Sequence, residues 1–212
     1  KTIKLLTFVL IIASLGACKK DEEDAPIVKI EDDDTIHTVY TLKTTKGDIS
    51  LVLYKDVPAH YNNFDSLARA GFYDGVIFHR VINDFMIQGG DPTGSGSGGP
   101  GYTLPSEIGT KYKHKHGALA AARLSDAVNP EKRSSGSQFY IVEDKNGEPG
   151  LDGNYTVFGE TLAGLDVVSD IAAVSTGAVK KDKPDVDIVI NSIETKKYGI
   201  TALWDTFSYK PL

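Results

Sequence analysis

Cysteine is all but missing from this chain of 212 residues, in which Cys18 stands alone. One cysteine excludes an intrachain disulfide, so no covalent framework holds the fold together. Basic residues are outnumbered, with 23 Lys and Arg against 29 Asp and Glu and a formal charge of −6. That balance argues against nucleic-acid binding, which needs a basic footprint to meet phosphate. Long apolar runs are scarce too. The run "LLTFVLIIASL" at 5–15 falls well short of the roughly 20 residues that a membrane-spanning helix needs. No G-x-S-x-G is present, and Ser95 and Ser97 have the wrong flanks for a hydrolase nucleophile.

What is present at the start is organised. Lys1 and Lys4 form a basic opening, the short apolar run follows and small residues close it, which is the pattern of a secretory signal. Leu15-Gly16-Ala17-Cys18 resembles the lipobox of bacterial lipoproteins. The resemblance implies cleavage after Ala17 and a lipid on the Cys18 thiol as the sole membrane attachment. Residues 1–17 are then a lipoprotein signal peptide, and loss of its two lysines takes the formal charge from −6 to −8. The next stretch, "KKDEEDAPIVKIEDDDT", is acidic and lacks apolar periodicity, so residues 18–37 read as a solvated tether. Lysine followed by acidic residues after a lipidated cysteine also resembles surface-export signals of some Gram-negative bacteria. The expected location is the bacterial cell envelope, lipid-anchored at the outer membrane and facing the periplasm or the cell surface.

Residues 38–197 read as one domain of ordinary size, and 198–212 as a tail that carries the only tryptophan, Trp204. "TVYTLKTTKGDISLVLY" (38–54) alternates apolar and polar residues on both sides of Lys46-Gly47, the pattern of a β-hairpin. Pro58 opens a helix with Tyr61, Phe64, Leu67 and Ala68 at helical spacing and Gly71 as its stop. A second amphipathic helix is expected over 162–174, with Leu162, Leu165, Val168, Ile171 and Ala172 on one face. Short strands are predicted at "VIFHRVI", "FMIQGG", "GALAAA" (117–122), "SQFYIV" (137–142), "YTVFG" (155–159) and "DVDIVINSIET" (185–195). Many short strands and few helices predict an antiparallel barrel or sandwich, and no βαβ pattern is found.

Two obvious motifs fail on their surroundings. Gly94, Gly96 and Gly99 have the G-x-G-x-x-G spacing of a nucleotide loop, but no helix starts behind them and no Walker lysine follows. A phosphate loop needs that helix, because its N-terminus meets the pyrophosphate. A turn-forming surface loop is the better reading. His114 and His116 would share a strand face and could hold a metal, but "KYKHKHG" surrounds them with lysines that repel a cation. A solvated strand edge is expected there, and no metal. His60 and His79 have no visible partner.

Polar residues set into apolar strands remain: Arg80, Gln88 and Gln138. An arginine in a half-buried strand is costly unless it is paired or employed. "FHRVINDFMIQGGDPTGSGSGGPGY" closely resembles the signature of the cyclophilins, the cyclosporin-type peptidyl-prolyl isomerases. "TTKGDISLVLY", "NNFDSLARAGFYDGVIFHRV", "GALAAARL", "GSQFYIV" and "LDGNYTVFGE" resemble further blocks of that family in family order, over roughly 38–196. The resemblance implies a mainly β fold, a closed eight-stranded antiparallel barrel capped by two α-helices. It implies Arg80 as the catalytic arginine, with Phe85, Met86, Tyr140 and Leu151 as an apolar proline pocket. Gln88, grouped with Arg80, and Gln138 would hold the substrate backbone, aided by main-chain groups around Ala122 and Arg123. It further implies a monomer that isomerises X-Pro bonds in polypeptides, assists protein folding and needs no cofactor. A non-catalytic module that merely holds proline-containing segments is the competing reading, and the retained arginine disfavours it.

Three positions depart from the best-known eukaryotic members. Tyr155 stands where they carry histidine, as in many bacterial cyclophilins, and keeps an aromatic wall with a hydroxyl. Gly150 stands where they carry the tryptophan that contacts cyclosporin, so weak affinity for that drug is expected. Arg123 replaces their asparagine.

Overall fold

The structure, a computed structural model, describes residues 36–178 and 180–209. The signal sequence, Cys18 and nearly all of the tether lie outside them. Ile36–Thr44 (β1) and Gly47–Leu53 (β2) form the expected hairpin, with Leu42, Ile49 and Leu51 fully buried. Gly47 completes the turn at φ +138°, and Thr44 Oγ1 donates to its carbonyl at 2.7 Å. The other strands are short: Arg80–Ile82 (β3), Met86–Gly89 (β4), Thr103–Leu104 (β5), Ala118–Ala121 (β6), Ser134–Ser135 (β7), Phe139–Val142 (β8) and Val157–Ala163 (β9). Ile190–Gly199 (β10) is the exception and pairs with β1 along its length.

Eight strands form one antiparallel sheet in the order β10-β1-β2-β9-β6-β8-β4-β3, and β5 and β7 pair as a separate ribbon. The closed barrel expected from the sequence is therefore met only in a coarser form. Among the described residues no strand ladder joins the outer strands β3 and β10. The segments leading into them do touch: Phe78 N–H donates to Ile188 O at 2.9 Å and Ile190 N–H to Val76 O at 2.8 Å. Too few consecutive residues pair there to make a ladder.

Three α-helices pack on this sheet, one more than expected. Pro58–Arg69 (α1) starts on proline, whose missing N–H needs no partner at that position. It buries His60, Phe64 and Ala68, one every fourth residue, while Tyr61 and Leu67 are only partly covered. Its free amides find a distant cap. The Glu107 carboxylate accepts from the N–H groups of Ala59 and His60, each at 3.0 Å, and meets His60 Nδ1 at 2.6 Å. A carboxylate at a helix N-terminus also complements the helix dipole. Phe64 then sits among the rings of Tyr40, Tyr73, Phe139 and Phe158, with centroids 5.1 to 5.9 Å away, and fastens α1 to the sheet.

Leu165–Ala172 (α2) begins three residues later than the periodicity predicts. Leu162 belongs to β9, and Gly164, at φ +87°, turns the chain between the two. A Cβ there would strike the Asp48 carbonyl, so the glycine is required by both conformation and space. Ile200–Phe207 (α3) was not foreseen. It follows β10 directly and buries Leu203 completely, whereas Trp204 stays 56% exposed.

Candidate active site

Sheet register assembles the site. Arg80 on β3 lies opposite Gln88 on β4, Gln88 opposite Tyr140 on β8, and Tyr140 opposite Ala120 on β6. Met86, two residues before Gln88, shares its side of β4 because side chains alternate along a strand. Phe85 precedes the strand. Leu151 comes from a 3₁₀ turn at Pro149–Leu151, and Tyr155 lies just before β9. Arg80, Phe85, Met86, Gln88, Ala122, Arg123, Tyr140, Leu151 and Tyr155 line one cleft with a volume of about 120 Å³. Gln138 lines the adjoining, wider cleft of about 670 Å³, which shares Gln88, Ala122 and Arg123 with the first.

Three groups orient the Arg80 guanidinium. Nη1 donates to Gln88 Oε1 at 3.4 Å, Nε lies 3.7 Å from Asp182 Oδ2, and the group sits 5.8 Å from the Phe85 ring centroid. Neither polar contact is short, and the side chain is 41% exposed, so donor capacity remains toward the cleft. Gln88 Nε2 in turn donates to Gln138 Oε1 at 3.1 Å. Gln138 Nε2 donates to the carbonyls of Gly96 and Gly98 at 3.3 and 2.8 Å. The Gln138 amide is thus tied to the glycine-rich loop and to Gln88. Ala122 N–H donates to Gln138 O, and Ala122 O accepts from Ser135 N–H.

The apolar part of the cleft is aromatic on two sides. The Tyr140 and Tyr155 rings stand edge to face, 5.8 Å apart at 87°. Behind Tyr155 the Arg123 guanidinium lies 4.6 Å from the ring centroid, and it donates to Asn154 O at 2.7 Å and to Asp126 Oδ1 at 2.5 Å. Its side chain is therefore committed to bracing the wall. Gly150 borders this region with open space where a side chain would start.

The glycine-rich loop does cradle an anion, but one from its own chain. Asp91, fully buried, accepts from the N–H groups of Thr93, Gly96 and Gly98 and from the hydroxyls of Thr93 and Ser95. Burial opposes its ionisation, and the hydrogen bonds from Gly98, Thr93 and Gly96 outweigh it, holding the carboxyl well below the usual range. Oriented N–H groups of this kind form an anion nest.

The histidine pair is corrected. His114 is 2% exposed and lies on no strand, with Nδ1 2.8 Å from Asp152 Oδ1 and Nε2 2.9 Å from the Tyr140 hydroxyl. The flanking Lys113 and Lys115 stay exposed and reach the carboxylates of Asp152 and Glu160, and both partners of His114 lie far along the sequence, so composition alone gave no sign of burial. Burial pushes the His114 pKa down, against the pull of Asp152, and pushes the Tyr140 hydroxyl up. Among the described residues no group of three His, Cys, Asp or Glu is arranged to hold a metal ion.

Fold and cleft together define an antiparallel β protein with an open cleft in which Arg80 stands beside the apolar side chains of Phe85, Met86, Tyr140 and Leu151. The family model of the cyclophilin type peptidyl-prolyl cis-trans isomerases matches residues 39–195. A Staphylococcus epidermidis protein named as a peptidyl-prolyl cis-trans isomerase is 37% identical over 186 residues, 74% of this chain and 90% of the relative. A Streptococcus pyogenes protein named as a bifunctional phosphatase and peptidyl-prolyl isomerase is 38% identical over 185 residues, and there the match spans only 38% of the relative. The crystal structure of a Cryptosporidium parvum cyclophilin type isomerase superposes with a TM-score of 0.68 at 30% identity, covering 76% of this chain and 98% of that one. The same protein with the dipeptide Ala-Pro gives 0.66 at 32% identity, covering 73% of this chain and 96% of that one. The chain belongs to the cyclophilin-type peptidyl-prolyl cis-trans isomerases. It is an enzyme that catalyses rotation about X-Pro peptide bonds.

Proposed function

We propose that the aromatic cleft is the isomerisation site and that Arg80 is its catalytic residue. Rotation of a peptide bond faces a barrier of about 18–20 kcal/mol, because resonance gives the C–N bond double-bond character. At X-Pro bonds both isomers are populated but exchange in tens to hundreds of seconds. No covalent step is needed, since binding the twisted amide better than either planar form suffices. Twisting makes the prolyl nitrogen pyramidal and frees a lone pair. A guanidinium at that nitrogen donates a hydrogen bond that the planar amide cannot accept well. Arginine suits this role because it stays protonated and its donors are rigidly arranged.

Phe85, Met86, Tyr140, Leu151 and Tyr155 hold the prolyl ring while the preceding carbonyl turns. Gln88 and the main chain near Ala122 and Arg123 hold the flanking backbone, and Gln138 acts by fixing Gln88. The observation that carries this reading is the setting of Arg80: a guanidinium at the edge of an apolar cleft, steered by Asp182, Gln88 and Phe85, with donors to spare. Replacing Arg80 by alanine removes one charge-assisted hydrogen bond, worth about 1.5–3 kcal/mol. Each 1.36 kcal/mol is tenfold in rate, so kcat/KM for an X-Pro peptide should fall about 10- to 150-fold with the fold intact. Equal rates for the two proteins would sink the assignment.

The clients are proposed to be proline-containing chains in the bacterial envelope, met by a monomer held to the membrane by lipid on Cys18. The lipobox-like Leu15–Cys18 and the acidic tether support this. Cys18→Ala should move the protein from the membrane to the soluble fraction, and labelling of intact cells with an impermeant reagent reports which side of the outer membrane it occupies.

A further inference from the structure

Tyr140 lines the cleft, and this residue, only 5% exposed, carries a hydroxyl. Without a partner, a buried phenol beside a bound prolyl ring would carry a cost in desolvation. His114 Nε2 lies 2.9 Å from that oxygen, and the two rings are nearly parallel at 11°. The direction of this hydrogen bond is fixed from behind. Asp152 Oδ1 lies 2.8 Å from His114 Nδ1 and accepts the His114 main-chain N–H at 3.0 Å. A carboxylate only accepts, so Nδ1 carries the imidazole hydrogen and Nε2 is left to accept from Tyr140. The hydroxyl hydrogen is thereby turned toward the imidazole.

A second connection makes His114 more than a partner for one hydroxyl. Asp152 directly follows Leu151, a wall of the cleft, and Glu148 N–H donates to the His114 carbonyl at 2.7 Å. The loop that carries Leu151 is therefore pinned to His114 at both its ends, while Tyr140 is pinned from β8. Other groups facing the pair are Lys113 Nζ, 3.5 Å from Asp152 Oδ2, and the Tyr155 ring, edge to face with His114 at 6.4 Å.

We propose that His114, oriented by Asp152, is a positioning residue for isomerisation: it turns the Tyr140 O–H away from the prolyl ring and locks Tyr140 to the Leu151 wall. His114 touches no substrate. The inference rests on the cleft being the prolyl pocket, and its test separates the two. A double-mutant cycle compares wild type, His114→Phe, Tyr140→Phe and the double variant on an X-Pro peptide, with Arg80→Ala in parallel. His114→Phe keeps a ring in the slot but accepts no hydrogen bond. It should raise KM about tenfold, the size expected for stranding one buried hydroxyl, with kcat changed less than about twofold. In the Tyr140→Phe background no hydroxyl remains, and the same substitution should have little effect on KM.

An equal KM effect in both backgrounds, or loss of folding in both, makes His114 a plain structural residue and overturns the proposal. Arg80→Ala with wild-type rates fails the site assignment instead. Nitrogen-15 NMR of the wild-type imidazole gives a further check that needs no variant. Protonation at Nδ1 with Nε2 accepting is expected at neutral pH, and the opposite tautomer overturns the proposal.

Discussion

Replacing Asp91 by asparagine tests whether one buried carboxylate shapes the active site through the glycine-rich loop. Oδ1 accepts from Thr93 N–H and Oγ1 at 2.7 and 2.8 Å, and Oδ2 from Ser95 Oγ, Gly96 N–H and Gly98 N–H at 3.2, 2.6 and 3.0 Å. An asparagine carbonyl can keep only one half of this cradle. With its oxygen on the three-donor side, its amide faces Thr93, whose hydroxyl can rotate to accept but whose N–H is stranded. A hydrogen bond to a charged group is worth about 1.5–3 kcal/mol, and stranding a buried donor costs about 1–3 kcal/mol. A loss of about 3 kcal/mol follows, since the two figures overlap in what they count. In a protein of this size 1 kcal/mol moves Tm by about 2–4 °C, so Tm should drop by about 6–12 °C. The functional half runs through Gln138, which holds the Gly96 and Gly98 carbonyls and receives Gln88, the partner of Arg80. With the loop loosened, kcat/KM should fall about tenfold, 1.36 kcal/mol in the barrier. Thermal unfolding and an X-Pro isomerisation assay on the same preparation read both halves. A Tm close to wild type refutes the role of the carboxylate, and a lowered Tm with an unchanged rate refutes its coupling to the site.

Gly90 sits at φ +88°, and a Cβ there would land on the Ser137 carbonyl and the Gln138 Cα. Gly90→Ala should therefore destabilise the fold by at least about 2 kcal/mol, visible as a lower urea midpoint, whereas Gly101→Ala meets no atom and should cost only the strain of its positive φ. Burial lowers the pKa values of His60, His79 and His114. The unfolded chain then binds more protons between those values and the ordinary 6.5 or so, and stability should fall as pH drops through that window. Asp91, Glu107 and Asp152 are lowered as well, so a second loss should follow below about pH 4. Urea midpoints at neutral, mildly acidic and strongly acidic pH check both windows, and a flat profile from neutral to mildly acidic pH contradicts the first.

Local signals carried part of this protein and topology carried the rest. The β1–β2 hairpin and α1 were legible because alternation, Pro58 and the four-residue spacing of Phe64 and Ala68 act within one element. The start of α2 was missed because Leu162 fits a helical face equally well, and only the clash that a side chain at Gly164 would make with Asp48 decides the boundary. Nothing local marks the β5–β7 ribbon, whose residues pair about 30 positions apart, whereas α3 packs on the strand just before it, with Phe207 against Tyr198. The site residues were named through family resemblance. Their meeting in one cleft follows from pairings such as Arg80 with Gln88 and Gln88 with Tyr140, which no spacing rule contains.

His114 and the glycine-rich loop show the same limit from opposite sides. Three lysines made "KYKHKHG" read as solvated, yet two distant partners, Asp152 and Tyr140, hold its first histidine buried beside the cleft. The loop after Asp91 has the glycines and free N–H groups that bind anions, and that physics holds. What spacing could not reveal is that the anion is already supplied. With Asp91 filling the nest, the loop has no vacancy for a phosphate, and its outward carbonyls at Gly96 and Gly98 are left to grip Gln138. A motif that elsewhere recognises a ligand here sets the geometry of the residue behind Gln88, and through Gln88 that of Arg80.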